Sequence, residues 1–170
     1  MELLIETHPF EAFVPPGMQC LILGSFPGKE QTRGPVAEGA WFYGAPRNQF
    51  WKIMEIAYKR PLRDRKEKEQ LFREARIGIT DVIRSCVRIN GTNLDENLQV
   101  REYNREEIER ILKAFHPPVF CTSRFVQKVF RQLFPAELPA DLLPSPSPRY
   151  FRLSIEDKAK VYKEKLPKLS

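Results

Sequence analysis

Four short apolar runs constrain this chain most: Met18 to Leu23, Ile77 to Ile83, Val119 to Thr122 and Asp141 to Leu143, alternating with longer segments of helical period. Short apolar runs separated in this way read as parallel strands covered by helices. The fold class predicted is α/β. Asn48, Asp64, Asn104, Ser123 and Ser154 each stand just before a helix-like segment, where a capping side chain belongs. Asn104 is followed by Glu107 and Ser154 by Asp157, the spacing of a capping box. The helix predicted from Asn104 puts Ile108, Ile111, Leu112 and Phe115 on one face, with Glu106, Glu109, Arg110 and Lys113 outside, and Pro117 ends it. The charged run Arg63 to Glu69 reads as the solvated face of a further helix.

In an open parallel sheet, ligands gather beyond the ends of the strands, so the loops after Leu23, Ile83, Thr122 and Leu143 are the ones to inspect. Two segments are especially informative. Gly24-Ser25-Phe26-Pro27-Gly28 is a rigid turn after a buried strand, and Tyr43 to Trp51 is an aromatic-lined loop opening a helix. Such turns suit a planar, polar ligand. Phe50 and Trp51 fall at core spacing within that helix. The 15 prolines mark rigid loops, above all Pro144, Pro146 and Pro148.

At 170 residues and 42% hydrophobic content the chain can bury one core, so a single domain over residues 1–170 is expected. Its 28 basic against 22 acidic residues give a charge of +6, which draws it toward polyanions. Cys20, Cys86 and Cys121 are odd in number, far apart and flanked by apolar residues. That argues against a disulfide framework, a zinc site or an iron–sulfur cluster, and for a reduced, cytoplasmic setting. The acidic start from Met1 to Glu6 is unlike a signal peptide, and no apolar run reaches membrane-spanning length. No membrane partner is expected.

Several common sites are excluded by spacing. A P-loop needs four residues between its glycines and then Lys with Ser or Thr, but three separate Gly24 from Gly28, and Glu30 follows Lys29. No third glycine completes a dinucleotide fingerprint. A hydrolase elbow needs a nucleophilic Ser between glycines and a downstream His, whereas the only histidines are His8 and His116. His116, before two prolines at a helix end, reads as facing the helix dipole or solvent.

Four blocks carry a resemblance: Leu21 to Gly28, Phe42 to Trp51 with its Pro46-Arg47-Asn48, Gly78 to Cys86, and Leu143-Pro144-Ser145-Pro146-Ser147-Pro148. In this order they resemble the uracil-DNA glycosylase superfamily, most closely its hypoxanthine-DNA (deoxyinosine) glycosylase branch. The resemblance implies a three-layer α/β/α sandwich around a central, mainly parallel four-stranded sheet. It further implies a monomeric, cofactor-free and metal-free enzyme that hydrolyses the N-glycosidic bond of a flipped deaminated base in DNA, hypoxanthine or uracil. Asn48 would then position water or the leaving base, although an Asn at a helix start also suits a plain cap. Asp81 would either cap a turn or face the base. Ser25, Phe26, Gly28, Tyr43 and Ser85 would bind the base, with Tyr43 stacking on it or packing in the core. Arg47, Ser145, Pro146, Ser147 and Arg149 would grip DNA, as would Ser123 and Arg124 at a helix N-terminus suited to phosphate.

The chain departs from the wider superfamily in three places. Phe26 stands where other branches put an Asp or Asn that directs water, the last block has no histidine to stabilise the leaving base, and Ala45 replaces a common His. These departures leave open a nucleic-acid-binding module that kept the pocket without hydrolysis. An enzyme acting on free nucleosides is a further alternative, and it would show little dependence on salt.

Overall fold

Residues 3–169 are described by the computed structural model; Met1 and Glu2 of the acidic start, and Ser170, lie outside them. The strands are β1 (Ile5–Thr7), β2 (Cys20–Gly24), β3 (Ile77–Asp81), β4 (Ile83–Arg88), β5 (Leu98–Tyr103), β6 (Val119–Cys121) and β7 (Ala140–Leu142). The helices are α1 (Lys29–Thr32), α2 (Phe50–Tyr58), α3 (Arg65–Ala75), α4 (Arg105–Phe115), α5 (Arg124–Leu133) and α6 (Ile155–Lys165).

β2 is buried along its whole length because it runs through the middle of a four-stranded sheet, order β3-β2-β6-β7, in which every pair is parallel. Side chains alternate across a strand, and this alternation builds the two cores. Cys20 and Ile22 pack with Phe50, Ile53, Leu71, Phe72 and Tyr162 from α2, α3 and α6. Leu21 and Leu23 pack with Ile108, Leu112, Val126 and Phe130 from α4 and α5. The result is the expected α/β/α sandwich around a four-stranded parallel sheet. Among the described residues no helix is long and apolar enough to cross a membrane.

The run Ile77 to Ile83 is not one strand. Val82 and Ile83 donate their N–H groups to Gly24 O (2.9 Å) and Ser25 O (3.1 Å), and the chain then leaves the parallel sheet for β4. β4 sits between β1 and β5 in a separate antiparallel sheet that the apolar pattern did not disclose. Both sides of the corner are buried, so hydrophobicity continues across it unbroken. β5 is mostly exposed, and it lacks the apolar run that marked the other strands.

Asp64, Ser123 and Ser154 cap α3, α5 and α6 by accepting from the N–H of Glu67 (2.8 Å), Val126 (3.1 Å) and Asp157 (3.1 Å). Each contributes about 1 kcal/mol. Asn104 precedes α4 without capping it, and the box with Glu107 does not form. Its Nδ2 instead donates to Thr80 Oγ1 (3.1 Å), Asp81 O (3.0 Å) and Glu107 Oε1 (2.7 Å), tying the start of α4 to the end of β3. Phe115, expected on the apolar face of α4, is partly exposed. His116 ends α4 in the left-handed region and is solvent-exposed. The charged run is not wholly solvated either: the Arg65 guanidinium lies 5.7 Å from the Trp41 ring and the Lys68 ammonium 4.9 Å from Trp51. Their cationic heads thus lie over aromatic rings rather than free in solvent.

Candidate active site

The loops that leave β2, β3, β6 and β7 at their carboxyl ends converge on one cleft of about 880 Å³. β2 continues to β3 on one side and later to β6 on the other, so the cleft lies where the winding of the sheet reverses. Ser25, Phe26, Gly28, Tyr43, Arg47, Asn48, Asp81, Ser123, Ser145, Pro146, Ser147 and Arg149 all line it. Two expected residues do not. Ser85 is buried in β4 opposite Thr7, with its hydroxyl on Glu102 Oε1 at 3.2 Å, and does not line the cleft. Arg124 begins α5 on the exposed surface beyond the cleft wall.

Asp81 stands at the end of β3, nearly buried, and its Oδ2 accepts from His8 Nε2 at 2.7 Å. β1 delivers the histidine: Thr7 pairs with Ser85, and His8 N–H continues the ladder to Arg84 O at 2.8 Å. The imidazole is closed in by the rings of Phe10, Phe26 and Phe42. Phe10 N–H donates to His8 Nδ1 at 3.0 Å, so Nδ1 holds a lone pair and the ring proton sits on Nε2, directed at the carboxylate. Nothing in the sequence signalled this role for His8, which lies 73 residues from its partner, just after a short strand with little apolar signal.

Asp81 Oδ1 and Tyr43 Oη meet beside Gly24, where a Cβ would overlap both atoms. Thr122 donates to Leu23 O (3.3 Å), so the Tyr43 hydroxyl is the donor in its 2.9 Å bond to Thr122 Oγ1. Burial, with the Asp81 charge second, pushes the Tyr43 phenol well above its ordinary range and keeps it neutral. Phe50 stacks on one face of the Tyr43 ring at 4.0 Å, and Tyr43 holds a left-handed backbone, φ 57°. A bulky residue adopts that conformation only where its surroundings enforce it, and such places concentrate at functional sites.

Asn48 does not cap α2 from the cap position, which Gln49 occupies. Its Oδ1 accepts from Phe50 N–H at 2.9 Å, and its half-buried side chain lines the cleft. The oxygen is thus anchored to the helix start on the cleft wall.

The proline loop is held from behind. Tyr162 donates to Pro144 O (2.7 Å), Gln49 N–H to Pro146 O (2.8 Å), and Lys158 to Ser147 O (3.2 Å) and Gln49 Oε1 (2.8 Å). Lys158 is buried, and that burial lowers its pKa. A loop fixed this firmly loses little entropy on binding.

The opposite wall was not visible in the sequence. Thr92 to Glu96, after β4, reach the cleft, and Ser25 donates to Asp95 Oδ1 at 2.6 Å. Burial, then the nearby Asp81 charge, raise the Asp95 carboxyl above its ordinary value against the pull of the Ser25 hydrogen bond. Arg88 ties this wall to the first turn by donating to Thr92 O (3.0 Å), Pro27 O (2.9 Å) and the buried Glu6 (3.1 Å). Gln31 donates from Nε2 to Trp41 O at 2.7 Å, and its buried Oε1 has no donor from the described residues. The run Asn90-Gly91-Thr92-Asn93 is a turn signal that marks this loop in retrospect. Among the described residues no group of three or more His, Cys, Asp or Glu is placed to hold a metal.

A cleft lined by polar and aromatic side chains at the switch point of a parallel sheet is the position at which open α/β proteins bind ligands. The chain belongs to the uracil DNA glycosylase superfamily, whose pattern matches residues 11–168. That membership supports DNA glycosylase activity in general and DNA as the substrate. A solution NMR structure of a candidate uracil DNA glycosylase from Methanosarcina acetivorans is similar in fold, with a TM-score of 0.69 at 23% identity over 95% of this chain and 98% of that one. A search of curated proteins gave no match.

Proposed function

We propose that this protein removes a deaminated base, hypoxanthine or uracil, from DNA by hydrolysing the N-glycosidic bond of an extruded nucleotide. The observation that carries the reading is the nearly buried Asp81 carboxylate, aimed by His8 and lying on the same cleft as Asn48. An oxocarbenium-like sugar needs a negative charge beside it and a water delivered to C1′. Asp81 supplies the charge and accepts the proton of the water; Asn48, anchored through Phe50 N–H, positions water or base. Phe26 is thereby relieved of a task that its side chain cannot perform.

Lys29 is the one lysine on the cleft among the described residues, and its ammonium is bound to Gly91 O at 2.7 Å. This supports water as the nucleophile and a monofunctional enzyme; that it works as a monomer in the cytoplasm is part of the same proposal. Arg47 and Arg149 on the rim would hold phosphates, and Ser145 to Pro148 would press the backbone as the base swings out.

The test uses duplexes with a single hypoxanthine, uracil, adenine or cytosine, treated with alkali to reveal abasic sites or with borohydride to trap an amine-linked intermediate. Strand cleavage only at a deaminated base, only after alkali and with no trapped adduct, is expected. A trapped adduct would contradict the water mechanism, and no cleavage with DNA still bound would favour the non-hydrolytic module.

A further inference from the structure

The departing base needs a proton or a positive charge as its bond to the sugar breaks, and the last block supplies no histidine for this. We propose that Asp95 is the general acid of the site, giving its proton to a ring nitrogen of the leaving base. The inference rests on the glycosylase reading and adds to it a residue on the wall opposite the proline loop.

Elimination among the cleft's titratable groups leads to Asp95. Asp81 accepts the His8 proton and acts as an acceptor. The hydroxyl proton of Tyr43 is committed to Thr122. Lys29 is bound to Gly91 O, and the Glu30 carboxylate is bound by Asn93 at the mouth. Glu96, Arg47 and Arg149 are exposed. Asp95 alone is a half-buried carboxyl whose second oxygen has no partner among the described residues, while Ser25 Oγ fixes the first. The charged groups facing it are Asp81 from β3, Arg88 from β4 and Glu96 beside it. Burial and Asp81 favour its protonated form, and Arg88 opposes this. Of the cleft's four carboxyls, Asp81 is thus held as an acceptor by His8, while Asp95 is pushed toward its protonated form, and opposed environments of this kind assign a base and an acid to neighbouring carboxyls.

The step balances. The bond from C1′ to the base breaks with its electron pair passing to the base, which takes the Asp95 proton and leaves neutral. Water adds its oxygen to C1′ and gives a proton to Asp81. Solvent then reprotonates Asp95 and removes the proton from Asp81.

The test is single-turnover excision by the wild type and by Asp95→Asn, which keeps the acceptor for Ser25, across pH 5–9 (roughly the range in which such groups titrate). Two duplexes are compared, one with hypoxanthine and one with a 7-methylated purine whose fixed positive charge makes a proton unnecessary. On hypoxanthine the variant should be slower by about 10²–10⁴-fold and should lose the alkaline fall in rate seen in the wild type. On the cationic base the two proteins should be equally fast, with DNA affinity and Tm unchanged. Equal rates on hypoxanthine, or the same loss on both bases, would overturn the role of Asp95 while leaving the glycosylase reading intact. If neither protein excises the methylated base, the alkaline limb on hypoxanthine decides. No excision of any base by the wild type would overturn both readings.

Discussion

At the scale of single residues, the site depends on an aspartate that the sequence displayed and a histidine that it concealed. Asp81 ends an apolar run, and its position at a strand end was legible. His8 was not, because its contact with Asp81 comes from the antiparallel sheet, and the polar strands of that sheet leave little trace in hydropathy. Removing the His8 donor by His8→Ala leaves the Asp81 carboxylate with one hydrogen bond fewer. Excision by the folded variant should slow at unchanged DNA affinity, since the carboxylate is no longer aimed. An unchanged rate would make His8 a packing residue. Gly24→Ala tests the close approach of Asp81 and Tyr43: a methyl there overlaps both oxygens, so activity should fall with a loss of stability measurable as a lower Tm. Phe26 could be read only as a departure from the superfamily. Its place beside the imidazole, ring centroids 5.8 Å apart and edge to face, became visible only in the fold.

At the scale of elements, the cleft keeps its shape because buried charges tie its walls together. Glu6 on β1 and Arg88 on β4 form a pair that is 1% exposed on each side, and the same guanidinium reaches the first turn and the Thr92 wall. Burial alone would raise the Glu6 carboxyl, but hydrogen bonds from Arg88 and Thr32 and the charges of Arg88 and Arg33 hold it below its ordinary value. A carboxyl lowered on folding stabilises the protein above its ordinary range, and that contribution is lost as pH falls through the folded value. Glu6→Gln should therefore flatten the acid side of a plot of stability against pH, as read by urea unfolding. Arg88→Met removes the buried partner of Glu6, leaving it Thr32 and the more exposed Arg33, and should cost up to about 3 kcal/mol. None of this network was legible, since its members are scattered from Glu6 to Asn93. The strand and helix order was legible, because hydrophobic runs and capping residues are local signals, and three of the five expected caps form. The proline loop could be recognised as stiff, but not that α6 buries Lys158 and Tyr162 behind it.

At the scale of the whole molecule, the parallel sheet determines where chemistry can happen, and the charge of +6 biases what approaches it. Phe151, 85% exposed and three residues beyond Pro148, is, on the proposed glycosylase reading, a candidate to enter the stack that an extruded base would vacate. Phe151→Ala should reduce excision from duplex DNA more than from a single strand, with no change in Tm. If Arg149 holds a phosphate as proposed, Arg149→Ala should weaken binding for all sequences alike and reduce the slope of log K against log salt by about 1. If the slope does not change, Arg149 lies outside the DNA footprint. The central claim, that this cleft breaks a glycosidic bond with Asp81 as its charged centre, is tested most directly by single-turnover release of hypoxanthine and uracil from labelled duplexes. Wild type and Asp81→Asn would be compared, with DNA affinity measured in parallel. The expected result is release by the wild type and a loss of about 10²–10⁴-fold in the variant at unchanged affinity; equal release by both proteins would contradict it.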